Sequence, residues 1–87
     1  NGNYFMEKLN NLMNEFSFIT EVRGKGLLIG LEMSKDISPK IVSRCLDKGL
    51  LINAVRPSMI RFMPPLNVTK NEIDKSVSIL ISVLKEM

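Results

Sequence analysis

Ile19-Thr20-Glu21-Val22-Arg23-Gly24-Lys25-Gly26-Leu27-Leu28-Ile29-Gly30-Leu31-Glu32-Met33 is the stretch that decides the fold. Ile19, Glu21 and Arg23 alternate with Thr20, Val22 and Gly24, the period of two that a half-buried strand needs. A second apolar segment, Leu27 to Met33, follows at once. Gly24-Lys25-Gly26 lies between the two, and glycine supplies the positive-φ freedom of a tight turn. The spacing predicts two strands folded on each other as a hairpin.

On the N-terminal side, Phe5, Leu9, Leu12 and Phe16 recur at helical spacing, with Met6 and Met13 widening the stripe. They predict a helix from about Gly2 to Glu15. On the C-terminal side, Ser38-Pro39 reads as a helix start, with Ser38 as the cap and Pro39 at the first helical position. Ile41, Val42, Cys45 and Leu46 form its apolar stripe, and Gly49 closes it. Leu50 to Asn53 reads as a short buried strand and Met59 to Met63 as another, ended by Pro64-Pro65, which cannot donate to a ladder. Thr69-Lys70-Asn71-Glu72 is a capping box, Val68 can staple onto Ile73, and Ile73, Val77, Leu80, Ile81 and Leu84 carry the last helix. The order is helix, strand, strand, helix, strand, strand, helix. That order predicts an α+β fold in two layers: a small, mostly antiparallel sheet of about four strands, with three helices packed on one face. Residues 1–87 read as a single domain.

Composition removes several function classes. The 87 residues are 45% hydrophobic, enough for a core. No apolar run exceeds three residues, so no membrane span is expected. Twelve Lys and Arg against nine Asp and Glu give +3, scattered along the chain without the blocks that mark a nucleic-acid or membrane arm. With no His and one Cys, the usual zinc sites and His-based triads are excluded. A single cysteine makes no internal disulfide and nothing reads as a secretory leader, so the expected location is cytoplasmic.

Two positions stand out. In Met59-Ile60-Arg61-Phe62-Met63-Pro64-Pro65-Leu66, alternation puts Ile60 and Phe62 on one face and Arg61 on the other, between Met59 and Met63. A guanidinium presented beside apolar walls is a fork for a carboxylate; the plainer reading is a solvated arginine at a strand edge. Arg23-Gly24-Lys25-Gly26-Leu27 sets glycines beside basic residues, a pattern that can cradle phosphate. Phosphate loops usually run into a helix, however, and this one runs into a strand, which favours a hairpin turn. Cys45, on an apolar stripe, reads as a buried inert thiol.

Taken together, Glu21 to Gly30 and Ile60 to Leu66 resemble the C-terminal small domain of the class III, pyridoxal-phosphate-dependent aminotransferases, and within them the acetylornithine and ornithine aminotransferases. Asn3-Tyr4-Phe5 with Leu9, Asp47-Lys48-Gly49-Leu50-Leu51, and Val68-Thr69 with Glu72-Ile73 extend the similarity over nearly the whole chain. The resemblance implies exchange of an amino group between an amino acid and a 2-oxo acid. Arg61 then matches the family's arginine for the substrate carboxylate, that of glutamate or 2-oxoglutarate. No catalytic, cofactor-binding or metal-binding residue is implied within these 87 residues, and Arg23 is left to turn geometry and packing. The resemblance places the cofactor's lysine, the aspartate facing its ring nitrogen and its phosphate contacts in a large domain of the same polypeptide. It also implies a homodimer, and no activity for the 87 residues by themselves. Met33, Leu51, Met59 and Met63 are the apolar side chains expected to meet that large domain.

Two other readings compete. A free-standing α/β interaction module would account for the missing catalytic groups. A small RNA-binding sheet would suit the positive charge, but such sheets stack bases on strand aromatics and only Phe62 lies on an expected strand.

Overall fold

A computed structural model describes residues 2–25, 28–64 and 67–87. The elements run α1 (Gly2–Glu15), β1 (Ile19–Lys25), β2 (Leu28–Met33), α2 (Ser38–Asp47), β3 (Asn53–Arg56), β4 (Met59–Phe62) and α3 (Lys70–Leu84). Their order and types agree with the expectation, and the four strands form one antiparallel sheet in the order β1-β2-β4-β3.

Strand parity sorts the sheet into two faces. Ile19, Ile29, Leu31, Met33, Ile60 and Phe62 are all buried, and they join Phe5, Leu9 and Leu12 of α1, Ile41 and Cys45 of α2, and the α3 stripe in one core. Helix α3 lies against both other helices, α1 packs on β1, and α2 packs on β3 and β4. Phe62 meets Phe5 with ring centroids 5.4 Å apart. The other face of the sheet carries Glu21, Arg23, Leu28, Gly30, Glu32, Met59 and Arg61, which share the opposite parity.

Helix ends show what local chemistry accomplishes. At α3 the capping box is complete: the Thr69 side chain accepts from the Glu72 N–H and the Glu72 side chain accepts from the Thr69 N–H. Helix α2 closes in a Schellman motif, with Gly49 N–H donating to the Leu46 carbonyl and Leu50 N–H to that of Cys45. Gly49 sits at φ +91°, a conformation an L side chain resists. Among the described residues it is the one glycine whose backbone needs this freedom.

Several expectations are corrected. The strand placed at Leu50 to Asn53 begins instead at Asn53 and runs to Arg56. Its pairing is set by the hairpin with β4 around Pro57-Ser58, while Leu50 is tied to the end of α2 and Leu51 points outward, 78% exposed. Gly24 and Lys25 belong to β1, paired with Ile29 and Leu28, so the turn falls later than Gly24. Gly26, expected in the turn, Leu27, expected to open the second strand, and Pro65 and Leu66, expected just after the fourth strand, lie outside the described residues. In α2, Leu46 is exposed, because the buried line runs Ser38, Ile41, Cys45. In α3, Val83 is buried and Ile81 only partly so.

Ser38 is not the cap of α2. Ile37 holds the N-cap position without a side-chain hydrogen bond. Ser38, fully buried, donates from Oγ to the Arg56 carbonyl at 2.5 Å, and its N–H donates to the Pro57 carbonyl at 2.9 Å. The hydroxyl therefore ties the start of α2 to the β3–β4 hairpin that carries Arg61. Ser38→Ala is expected to lower unfolding free energy by about 1 kcal/mol, the usual net value of such a bond. Urea denaturation of the two chains side by side measures it, and equal midpoints would show the bond to be idle.

Candidate functional site

Strand β4 sets the site. Ile60 and Phe62 are anchored in the core, so the backbone between them has no rotational choice and Arg61 must project from the opposite face. Across the ladder Arg61 faces Gly30, and Gly30 faces Arg23. The row is therefore Arg23, Gly30, Arg61, with no side chain in the middle. A Cβ at Gly30 would lie 2.2 Å from Cε of Met59, so the absent side chain is what lets the Met59 thioether lie across the sheet there. Arg23, Leu28, Gly30, Met59 and Arg61 surround a shallow depression of about 290 Å³.

Charges on this face are unevenly paired. Arg23 lies 3.4 Å from Glu32 and 3.5 Å from Glu21, the latter an ion pair without a hydrogen bond, since Oε1 of Glu21 is buried and accepts none. Arg56 also bonds Oε1 of Glu32, and Ser58 donates from Oγ to Oε2 at 2.5 Å. Arg61 is different. Its Nε is buried and unpartnered, and its guanidinium meets no carboxylate among the described residues. A desolvated cationic N–H without an acceptor is costly to keep unless a ligand or another chain segment supplies the acceptor.

The Ser58 hydroxyl and then the Arg56 guanidinium hold the Glu32 carboxyl below its ordinary value. A carboxyl whose pKa is lower folded than unfolded stabilises the fold above its ordinary value of 4.5, and that support is lost as pH falls through the folded value. Asp74, bonded by the Tyr4 hydroxyl, and Glu72 in the capping box have the same sign. The expected result is that Glu32→Gln loses less stability than the native chain between neutral pH and about pH 3. Urea midpoints at both pH values check this, and parallel losses would contradict it.

The remaining candidates carry less. Arg23 is on β1 as expected and lines the depression, but its guanidinium is already engaged. Cys45 is buried, and burial pushes its thiol up to about 11, away from nucleophilic use. A larger groove of about 540 Å³ lies between α1 and α3, where Lys8 is taken up by Asp74 at 3.4 Å, so it offers no free charge of that pair to a ligand. Of the side chains expected to form an exposed apolar face, Leu51 and Met63 are exposed and Met59 is half-buried. Met33 is 3% exposed, because it shares the parity of Ile29 and Leu31 and faces the helices. Phe62 packs on Phe5, so it offers no platform for stacking a base. The Glu32 cluster is the feature the sequence reading missed. Its available signal was the shared parity of Arg23 and Glu32 on paired strands.

The class-III aminotransferase family model matches residues 1–84, and the chain belongs to that family. It is 45% identical over 86 residues to an acetylornithine aminotransferase of Caldanaerobacter subterraneus subsp. tengcongensis and 44% identical over 86 residues to that of Methanocaldococcus jannaschii. Each match takes in 99% of this chain and only 22% and 21% of those relatives, so the chain spans about a fifth of their length. Its fold superposes on the crystal structure of acetylornithine aminotransferase from Elizabethkingia anophelis with a TM-score of 0.88, at 28% identity, over 99% of this chain and 24% of that one.

The family's cofactor, pyridoxal phosphate, calls for a lysine amine inside a closed pocket. Lys35, Lys40, Lys48, Lys70, Lys75 and Lys85 are exposed, and Lys8 pairs with Asp74. Among the described side chains, then, no lysine fits a covalent cofactor site. No helix among the described residues is long and apolar enough to cross a membrane, and no group of three or more acidic or cysteine side chains among them could hold a metal.

Proposed function

We propose that these 87 residues are the C-terminal small domain of a longer aminotransferase, which moves an amino group between acetylornithine or ornithine and 2-oxoglutarate. In that reading Arg61 binds a carboxylate of the substrate, and the open face of the sheet is one wall of the active site. The single observation that carries it is the unpaired guanidinium of Arg61, with a buried Nε, on a face where Arg23 and Arg56 are already engaged. The choice of amino donor follows the acetylornithine aminotransferases of Caldanaerobacter and Methanocaldococcus, to which the chain is similar.

A carboxylate arriving over Gly30 would accept two charge-assisted hydrogen bonds from Arg61, and the apolar flanks, Met59 and Leu28, would exclude water from them. Pyridoxal phosphate, held by residues outside these 87, would supply the electron sink. The large domain of the same polypeptide would cover Leu51, Met63 and Leu28, which are too exposed and apolar to favour solvent. The whole enzyme is expected to be a cytoplasmic homodimer.

The test is the visible absorption spectrum of the full-length protein with pyridoxal phosphate, before and after glutamate. A cofactor band that glutamate removes and 2-oxoglutarate restores is the expected result. A protein that takes up no cofactor would leave the stand-alone interaction module as the better reading.

A further inference from the structure

The open face of the sheet holds three described guanidiniums, Arg23, Arg56 and Arg61, against two carboxylates, Glu21 and Glu32. Glu32 stands at the centre of the pairing. Its Oε1 takes both Arg23 and Arg56, its Oε2 takes the Ser58 hydroxyl, and its side chain is only 20% exposed. The two arginines that border the depression, Arg23 and Arg61, are separated by one strand. Two strand spacings of about 4.8 Å lie between their backbones, a gap that two guanidiniums reaching inward over Gly30 can close. What holds Arg23 on its own side is Glu32, with Glu21 behind, and the Met59 sulfur 3.9 Å from Nη2 of Arg23 fills the space between.

We propose that Glu32 is a specificity-determining residue of this site: it engages Arg23 and Arg56, leaving Arg61 as the one guanidinium open to ligand, so that the depression takes a single carboxylate and rejects an inorganic dianion. This rests on the reading of Arg61 as the carboxylate-binding arginine. With Glu32 neutral, Arg23 keeps only the longer pair with Glu21, and once the flexible Met59 thioether swings aside it can turn over Gly30 and share an anion with Arg61. Two guanidiniums around one site favour a compact divalent anion over a monovalent carboxylate, since the attraction grows with the product of the charges. The carboxylate at position 32 thus acts by removing a competitor, not by touching the substrate.

The experiment uses the full-length enzyme and inorganic sulfate as the probe, read as competitive inhibition against glutamate. Glu32→Gln is expected to tighten sulfate inhibition about tenfold, the effect of one added charge-assisted hydrogen bond. Adding Arg23→Gln to that variant is expected to return the inhibition constant to within about twofold of the native value. A purely structural role for Glu32 would weaken binding generally, and removing an arginine would not reverse it. If Glu32→Gln does not accumulate as folded protein, Glu32→Asp, whose shorter stem loosens the same pairs, is expected to tighten sulfate about threefold. An unchanged sulfate constant in the folded variant, or tightening that persists without Arg23, overturns the inference. Arg61→Ala separates the two levels. If it weakens glutamate and sulfate while Glu32→Gln changes neither, only the role of Glu32 falls; if it affects neither ligand, the reading of Arg61 falls first.

Discussion

Arg61→Ala in the full-length enzyme is expected to raise KM for glutamate about 100-fold. Two charge-assisted hydrogen bonds to one carboxylate are worth about 1.5 kcal/mol each at the low end, and about 1.4 kcal/mol is a factor of ten. Arg61→Lys should recover only part of the loss, because an ammonium is a point charge and cannot present two parallel donors. The substitution should leave the fold intact. Arg61 lies on the open face, makes no described hydrogen bond with its side chain, and its neighbours Ile60 and Phe62 keep β4 in the core. Steady-state kinetics with amino donor and 2-oxo acid varied in turn measures the effect. An unchanged KM for both substrates, in a protein with native thermal stability, would reduce Arg61 to a surface residue.

The largest loss of stability is expected from Leu31→Ala. Leu31 is fully buried on β2, a central strand of the sheet, and pairs with Val22 on one side and Ile60 on the other. Truncation removes three carbons from a position that neighbouring strands prevent from collapsing, which costs about 3 kcal/mol. A domain of this length has roughly 5–10 kcal/mol in total, so the variant keeps little reserve. At a slope of about 1.5 kcal/mol/M, the urea midpoint should fall by about 2 M. A shift below about 0.5 M would mean that the inner face of β2 is not packed as described. The same substitution at Leu28, of the opposite parity and 52% exposed, should change the midpoint little.

The contrast between Leu31 and Leu28 shows what was legible in the sequence and why. Alternation along Ile29 to Met33 and along Met59 to Met63 separates the faces without any knowledge of partners, and it is enough to put Arg61 outside and Ile60 inside. Helix α3 was readable because its capping box is local: both residues involved, Thr69 and Glu72, lie within a single turn. Strand β3 was not readable by the same means. All four of its residues are exposed, so it carries no apolar signal, and its place comes from the hairpin turn at Pro57-Ser58 and from the edge of β4. The apolar run Leu50-Leu51-Ile52 drew the assignment away from it.

Missing that hairpin also hid the Glu32 cluster. Arg56 and Ser58 stand 24 and 26 residues from Glu32 and reach it only because Pro57-Ser58 turns back beside β2. Ser38 was misread for a related reason. Serine before proline is a common helix cap, but here the hydroxyl meets a buried carbonyl of the same hairpin before it can cap its own helix. Met33 is the opposite case, since its parity with Ile29 and Leu31 was available and outweighs its position at the end of the strand.

The central claim is that the guanidinium of Arg61, unpaired on a face where Arg23 and Arg56 are engaged by Glu32, holds a substrate carboxylate. A crystal structure of the full-length enzyme with 2-oxoglutarate tests it most directly. The account predicts a carboxylate of the ligand over Gly30, with two oxygens about 2.8 Å from nitrogens of Arg61, while Arg23 and Arg56 remain on Glu32. Arg61 paired instead with an acidic side chain from elsewhere in the enzyme, and the ligand bound away from this face, would contradict it.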